Sequence, residues 1–93
     1  FGAAPDAVTL HAAYPNPFNP TTNLSFSLRA AGAVTVRVYN AFGQNVATLL
    51  DGAWTDAGYH SLGFTAQGLP SGTYLVTLTA GGETRQQRIL LNK

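Results

Sequence analysis

The stretch Leu69-Pro70-Ser71-Gly72-Thr73-Tyr74-Leu75-Val76-Thr77-Leu78-Thr79 joins a proline–glycine corner to a run of strict alternation. In an extended chain successive side chains point to opposite faces, so Tyr74, Val76 and Leu78 share one face, opposite Leu75, Thr77 and Thr79. A tyrosine just after a glycine corner, at the head of a long strand, has the layout of a tyrosine corner. There the phenol caps upstream backbone in sandwich domains. Tyr74 therefore reads as a structural residue.

The same period of two recurs on both sides of this stretch. Leu24, Phe26 and Leu28 alternate with Ser25, Ser27 and Arg29, and Val34, Val36 and Val38 with Thr35, Arg37 and Tyr39. His60, Leu62 and Phe64 share a face of a strand that begins at Gly58 or Tyr59. Residues 8–13 read as a weak first strand, 46–50 as a further one, and 84–91 as the last. Turn chemistry separates them: Asn40-Ala41-Phe42-Gly43-Gln44-Asn45, Asp51-Gly52, and Ala80-Gly81-Gly82-Glu83, where two glycines tolerate the positive φ of a tight hairpin. No segment sustains a helical period. The expected fold is all-β: a seven-stranded, immunoglobulin-like or fibronectin-III-like antiparallel β-sandwich.

Tyr14-Pro15-Asn16-Pro17-Phe18-Asn19-Pro20-Thr21-Thr22 interrupts the strand pattern. Three prolines remove three backbone donors, fix three φ angles and push Tyr14, Asn16 and Asn19 toward extended geometry. The segment is a stiff connector with one large apolar side chain, Phe18, at its centre. A plug for the base of the sandwich and a recognition element are both open readings of Phe18.

Ninety-three residues make one small domain, with residues 1–7 as the end of an upstream linker and 8–93 as the folded unit. The chain opens on Phe1 without a signal-peptide pattern, as expected of a piece of a longer protein. It is 45% hydrophobic and only 10% charged, so its surface is rich in Thr, Ser, Asn, Gln and Gly, which favours contact over repulsion. A net charge of +1 gives no electrostatic case for nucleic acid or an anionic membrane. No apolar run approaches the roughly 20 residues of a membrane helix. The chain has no cysteine, which rules out disulfides and thiolate-bound metal.

Little in the sequence points to catalysis. Asp6, Asp51, Asp56, Glu83, His11 and His60 are scattered along the chain, and no Gly-x-Ser-x-Gly elbow is present. Neither histidine has a carboxylate at ligand spacing, so no metal and no cofactor is expected. Asp51 and Asp56 flank an expected turn at 52–55 that offers a weak calcium-site candidate. Tyr39, Phe42, Trp54 and Tyr59 leave a carbohydrate-binding module as an alternative, although a single tryptophan makes a poor sugar platform. Trp54 is expected instead to cover an open edge of the core.

Four segments in order resemble one family. They are the proline segment with the 24–28 alternation; Val36-Arg37-Val38-Tyr39-Asn40-Ala41-Phe42-Gly43-Gln44-Asn45-Val46; Gly58-Tyr59-His60-Ser61-Leu62 leading to Gly68-Leu69-Pro70-Ser71-Gly72-Thr73-Tyr74; and Gln87-Arg88-Ile89-Leu90-Leu91-Asn92-Lys93. Over residues 13–93 the chain resembles the type A C-terminal sorting domain of the type IX secretion system of Bacteroidota. The immunoglobulin-like domain of the flagellar hook-capping protein shares several of these motifs, so the first three segments alone are ambiguous and a flagellar-type structural module is a second alternative.

The resemblance implies a folded secretion signal, not an enzyme. It would carry a covalently fused upstream cargo from the periplasm through an outer-membrane translocon, to be secreted or held at the cell surface. A sortase-like peptidase would then cut upstream of the domain. The implied recognition residues are Pro15, Asn16, Pro17, Phe18, Asn19 and Pro20 of the opening motif, and Ser71, Gly72, Thr73 and Tyr74 of the corner. Arg88, Ile89, Leu90, Leu91 and Lys93 of the terminal motif complete the set. Removing residues 89–93 is expected to block export while the cargo still folds. Independently of the resemblance, three successive apolar residues at 89–91 on an alternating strand force at least one outward. A terminal strand with a free edge could also dock by strand addition.

Overall fold

The computed structural model describes residues 8–93; the expected linker at 1–7 lies outside the described residues. The strands are β1 (Val8–Leu10), β2 (Thr21–Leu28), β3 (Gly32–Tyr39), β4 (Asn45–Thr55), β5 (Gly58–Thr65), β6 (Gly72–Ala80) and β7 (Glu83–Leu91). All strand pairings are antiparallel, in a three-stranded sheet ordered β1-β2-β5 and a four-stranded sheet ordered β4-β3-β6-β7. The expected all-β sandwich of seven strands is the observed fold. In the constant-type immunoglobulin arrangement the fourth strand joins the sheet of the first, second and fifth. Here β4 pairs with β3 instead.

The alternation read from the sequence is the core. Thr22, Leu24, Phe26 and Leu28 of β2 and Phe64 of β5 face Val34, Val36 and Val38 of β3, Tyr74, Val76, Leu78 and Ala80 of β6, and Ile89 and Leu91 of β7. Each large aliphatic or aromatic side chain buried there contributes about 1.5–3 kcal/mol. His60 is half-buried and packs on its cross-strand neighbour Phe26, with ring centroids 5.4 Å apart.

The tyrosine corner forms as expected. The Tyr74 hydroxyl donates to the Pro70 carbonyl oxygen at 2.6 Å, and the residue is buried. Replacing Tyr74 with phenylalanine leaves that carbonyl without its partner while keeping the ring, so a loss of about 1–2 kcal/mol in denaturant melts is expected. The glycine hairpin also forms: Ala80 pairs with Glu83, and Gly81 and Gly82 take φ of 58° and 78°, as a type I′ turn requires.

Three expectations are corrected. The first strand ends at Leu10, three residues early. Asp51-Gly52 is not a turn: β4 runs through it as a bulge, with the register stepping from Val36↔Leu50 to Val34↔Ala53. Gly52 supplies the positive φ of 66°, and its N–H donates to Thr35 Oγ1 at 3.0 Å, so the residue left out of the ladder is satisfied by a side chain. The turn imagined between Asp51 and Asp56 is therefore strand, and Asp51 lies 3.6 Å from Arg37 in an exposed ion pair. Trp54, paired with Ala33, is 73% exposed and covers no edge of the core.

Candidate functional site

The antiparallel order brings the ends of β3, β5 and β7 and the starts of β2, β4 and β6 to one end of the sandwich. There the turn at 40–44, the corner at 70–73, the proline segment and the terminal strand meet. Asn40 shapes the turn: its Oδ1 accepts from the N–H groups of Phe42 (2.9 Å) and Gln44 (3.0 Å), an Asx arrangement that leaves the Phe42 ring 89% exposed.

The proline segment is fastened at both ends and in the middle. Tyr14 exchanges both backbone hydrogen bonds with Asn23, at 3.2 and 3.0 Å. Thr22 Oγ1 donates to the Pro15 carbonyl at 2.6 Å, and the Ala66 N–H to the Pro20 carbonyl at 2.8 Å. All three X–Pro bonds are cis. Phe18, in the middle, forms a parallel bridge with Leu91: its N–H donates to the Leu90 carbonyl at 2.9 Å, and its own carbonyl accepts from the Asn92 N–H at 3.0 Å. Its ring is buried beside Phe64, with centroids 6.0 Å apart. The plug reading of Phe18 matches its place in the fold, and the ring is not part of the accessible surface.

This segment covers the outer edge of β7. Asn16 Oδ1 accepts from the Leu90 N–H at 2.9 Å, and Asn16 Nδ2 donates to the Arg88 carbonyl at 3.4 Å. Reciprocally, Gln87 Oε1 accepts from the Ala13 N–H and Gln87 Nε2 donates to the His11 carbonyl, both at 2.7 Å. The Lys93 N–H donates to Ser71 Oγ at 3.0 Å, which ties the corner to the terminal strand. The edge expected to be free for strand addition is thus occupied between Arg88 and Asn92 by the chain's own loop.

The residues named from the sequence divide into two groups. Phe18, Tyr74, Ile89 and Leu91 are buried and build the frame. Gly72 is half-buried, while Pro15, Asn16, Pro17, Asn19, Pro20, Ser71, Thr73, Arg88, Leu90 and Lys93 are exposed. Of the three apolar residues at 89–91, Leu90 alone turns outward, 42% exposed. Sequence reasoning missed Gln87 as a contact residue and Leu75 on the outer face of the four-stranded sheet. There Tyr39, Leu75 and Arg88 lie in register across β3, β6 and β7 and line a shallow cavity of about 570 Å³. An outward-facing tyrosine and leucine in neighbouring strands were the available signal.

The Arg88 and Lys93 side chains sit at this end, whereas the Asp56 and Glu83 side chains lie at the opposite end and Asp51 midway along β4. The aromatic residues considered for sugar stacking do not converge. Tyr59 packs near His11 on the three-stranded sheet, Trp54 lies at the far end of the four-stranded sheet, and Phe42 tops the turn at the near end. Among the described residues no helix is long and apolar enough to cross a membrane.

The motif segments of this β-sandwich thus gather at one end of the molecule. In comparison with known families, residues 12–92 match the secretion system C-terminal sorting domain, and the chain belongs to that family, the sorting domains of type IX secretion. No curated protein matches the chain. The family is one of secretion signals and not of catalysts. Membership implies a cargo fused upstream, interaction with the secretion machinery and export across the outer membrane.

Proposed function

We propose that this domain is the handle by which an outer-membrane type IX translocon takes hold of its cargo, and that the exposed residues at the motif end make the contact. Pro15, Pro17, Asn19, Ser71, Thr73, Arg88, Leu90 and Lys93 form the accessible surface. Phe18, Tyr74, Ile89 and Leu91 hold it in shape from below, with Asn16, Pro20 and Gly72 setting the backbone. The observation that carries this reading is convergence: segments far apart in the sequence, all inside the stretch that matches the family, lie side by side at one end. Residues 1–7 are the tail of a linker to the cargo and 8–93 the sorting domain. A sortase-like peptidase cuts in or upstream of that linker, and the cargo ends secreted or at the cell surface.

The test is a fusion of residues 1–93 behind a signal peptide and a fluorescent reporter, in a host with a type IX system. Export of the unaltered fusion is expected. Arg88→Glu and Leu90→Glu change exposed side chains and leave the core intact, so they are expected to cut export by roughly tenfold each, as loss of a central interface residue does. Retention of the unaltered fusion in the periplasm, or full export of both variants, overturns the reading.

A further inference from the structure

Pro15 and Pro17 have no N–H, so the proline segment cannot pair with β7 as an ordinary strand. The carboxamide of Asn16, between them, takes over that role. It accepts from the Leu90 N–H and donates to the Arg88 carbonyl, as the backbone of a neighbouring strand would. Gln87 does the same in the other direction, with its carboxamide on the backbone of Ala13 and His11. Each side-chain amide thus uses both its donor and its acceptor on facing main chain, Asn16 on the terminal strand and Gln87 on His11 and Ala13 just ahead of the proline segment, across 72 to 76 positions of sequence.

We infer that Asn16 and Gln87 are positioning residues whose reciprocal hydrogen bonds make the sorting surface a composite, present only when the proline segment has closed onto the terminal strand. This rests on the sorting function proposed above. The proline segment has no regular structure of its own, and its hydrogen bonds run to Asn23, Thr22, Ala66 and β7. The exposed side chains on the two segments therefore keep a fixed spacing only while these contacts hold. A receptor meeting a surface already fixed loses less ordering entropy on binding than one that must fix it. A chain whose two ends have not met offers neither half in its binding geometry, so export is conditional on a completed fold.

The experiment uses the same reporter fusion with the double variant Asn16→Ala/Gln87→Ala, compared with Val34→Ala. Val34 is fully buried and pairs with Ala80 at the opposite end, so its variant loses global stability without touching the stitch. Both chains are held at a temperature where circular dichroism shows them folded. In the double variant, amide exchange at Leu90 and Asn92 is expected to rise roughly a hundredfold over that in Val34→Ala, from the loss of four hydrogen bonds. Export of the double variant is expected to fall at least about tenfold while Val34→Ala exports normally. If the double variant does not fold, Asn16→Ala alone, whose side chain is exposed, gives the same comparison. Equal export of the two kinds of variant, or unchanged exchange at Leu90 and Asn92, overturns the inference and leaves the sorting function standing. Retention of the unaltered fusion overturns both.

Discussion

Phe18→Ala is expected to cost about 3–5 kcal/mol, the range for emptying the site of a buried phenylalanine. Domains of this kind hold about 5–15 kcal/mol in all, so the variant would be marginally folded. The ring is 2% exposed, beside Phe64, and its own backbone bridges to Leu91. Losing it removes the apolar anchor of a segment otherwise held by hydrogen bonds. Urea denaturation followed by far-ultraviolet circular dichroism measures the loss. Tryptophan fluorescence is a poor reporter here, because Trp54 is exposed in the folded state. Phe42→Ala is the internal control: that ring is almost wholly exposed, and a change within about 0.5 kcal/mol is expected. A Phe18→Ala loss under about 1 kcal/mol would show that the segment does not depend on this ring.

Deleting residues 89–93 is expected to unfold the domain itself. The deletion removes Ile89 and Leu91, each 1% exposed, which together contribute about 3–6 kcal/mol of apolar burial. It also strips the pairings Gly72↔Leu91, Thr73↔Leu90 and Tyr74↔Ile89, and frees the proline segment and Ser71 from their partners. The sum is comparable to the whole stability of a small domain. Loss of amide dispersion in a proton–nitrogen NMR spectrum of the truncated chain is the expected result; a well-dispersed spectrum would contradict it. The sequence reading treats these five residues as a terminal tag whose removal spares the cargo. In the structure two of the five, Ile89 and Leu91, belong to the core, so the truncation is expected to unfold the domain along with any export it directs. Outward substitutions such as Arg88→Glu and Leu90→Glu separate the two, because they alter the surface and leave Ile89 and Leu91 in place.

Most of the fold was legible because the chain obeys a period of two wherever one face is buried. Val34, Val36 and Val38, or Tyr74, Val76 and Leu78, need only local sequence to assign them inward. Even the triplet at 89–91 resolves by that rule, with Leu90 alone outside. Asp51-Gly52 misled because the same positive φ serves a turn and a bulge. The deciding partner, the Thr35 hydroxyl, lies 17 positions away. Trp54 misled because size suggested burial, whereas its place in β4 points it away from the core. At the candidate site, the proline segment and the corner announced themselves by composition. The Asn16 and Gln87 contacts carry no local signal: two ordinary carboxamides acquire their role only when the ends of the chain meet.

The bulge at Gly52 and the loop over β7 have a joint consequence for behaviour in crowded solution. β4 and β7 are the two outer strands of the larger sheet, the places where a second molecule would add by edge-to-edge pairing. Most soluble domains discourage such stacking partly with charge, and a chain only 10% charged has little to deploy. Here one border is kinked by an extra residue whose amide is already taken, and the other is sealed near its end by a rigid prolyl strap. On these two borders of the larger sheet, geometry stands in for repulsion as the guard against edge-to-edge pairing.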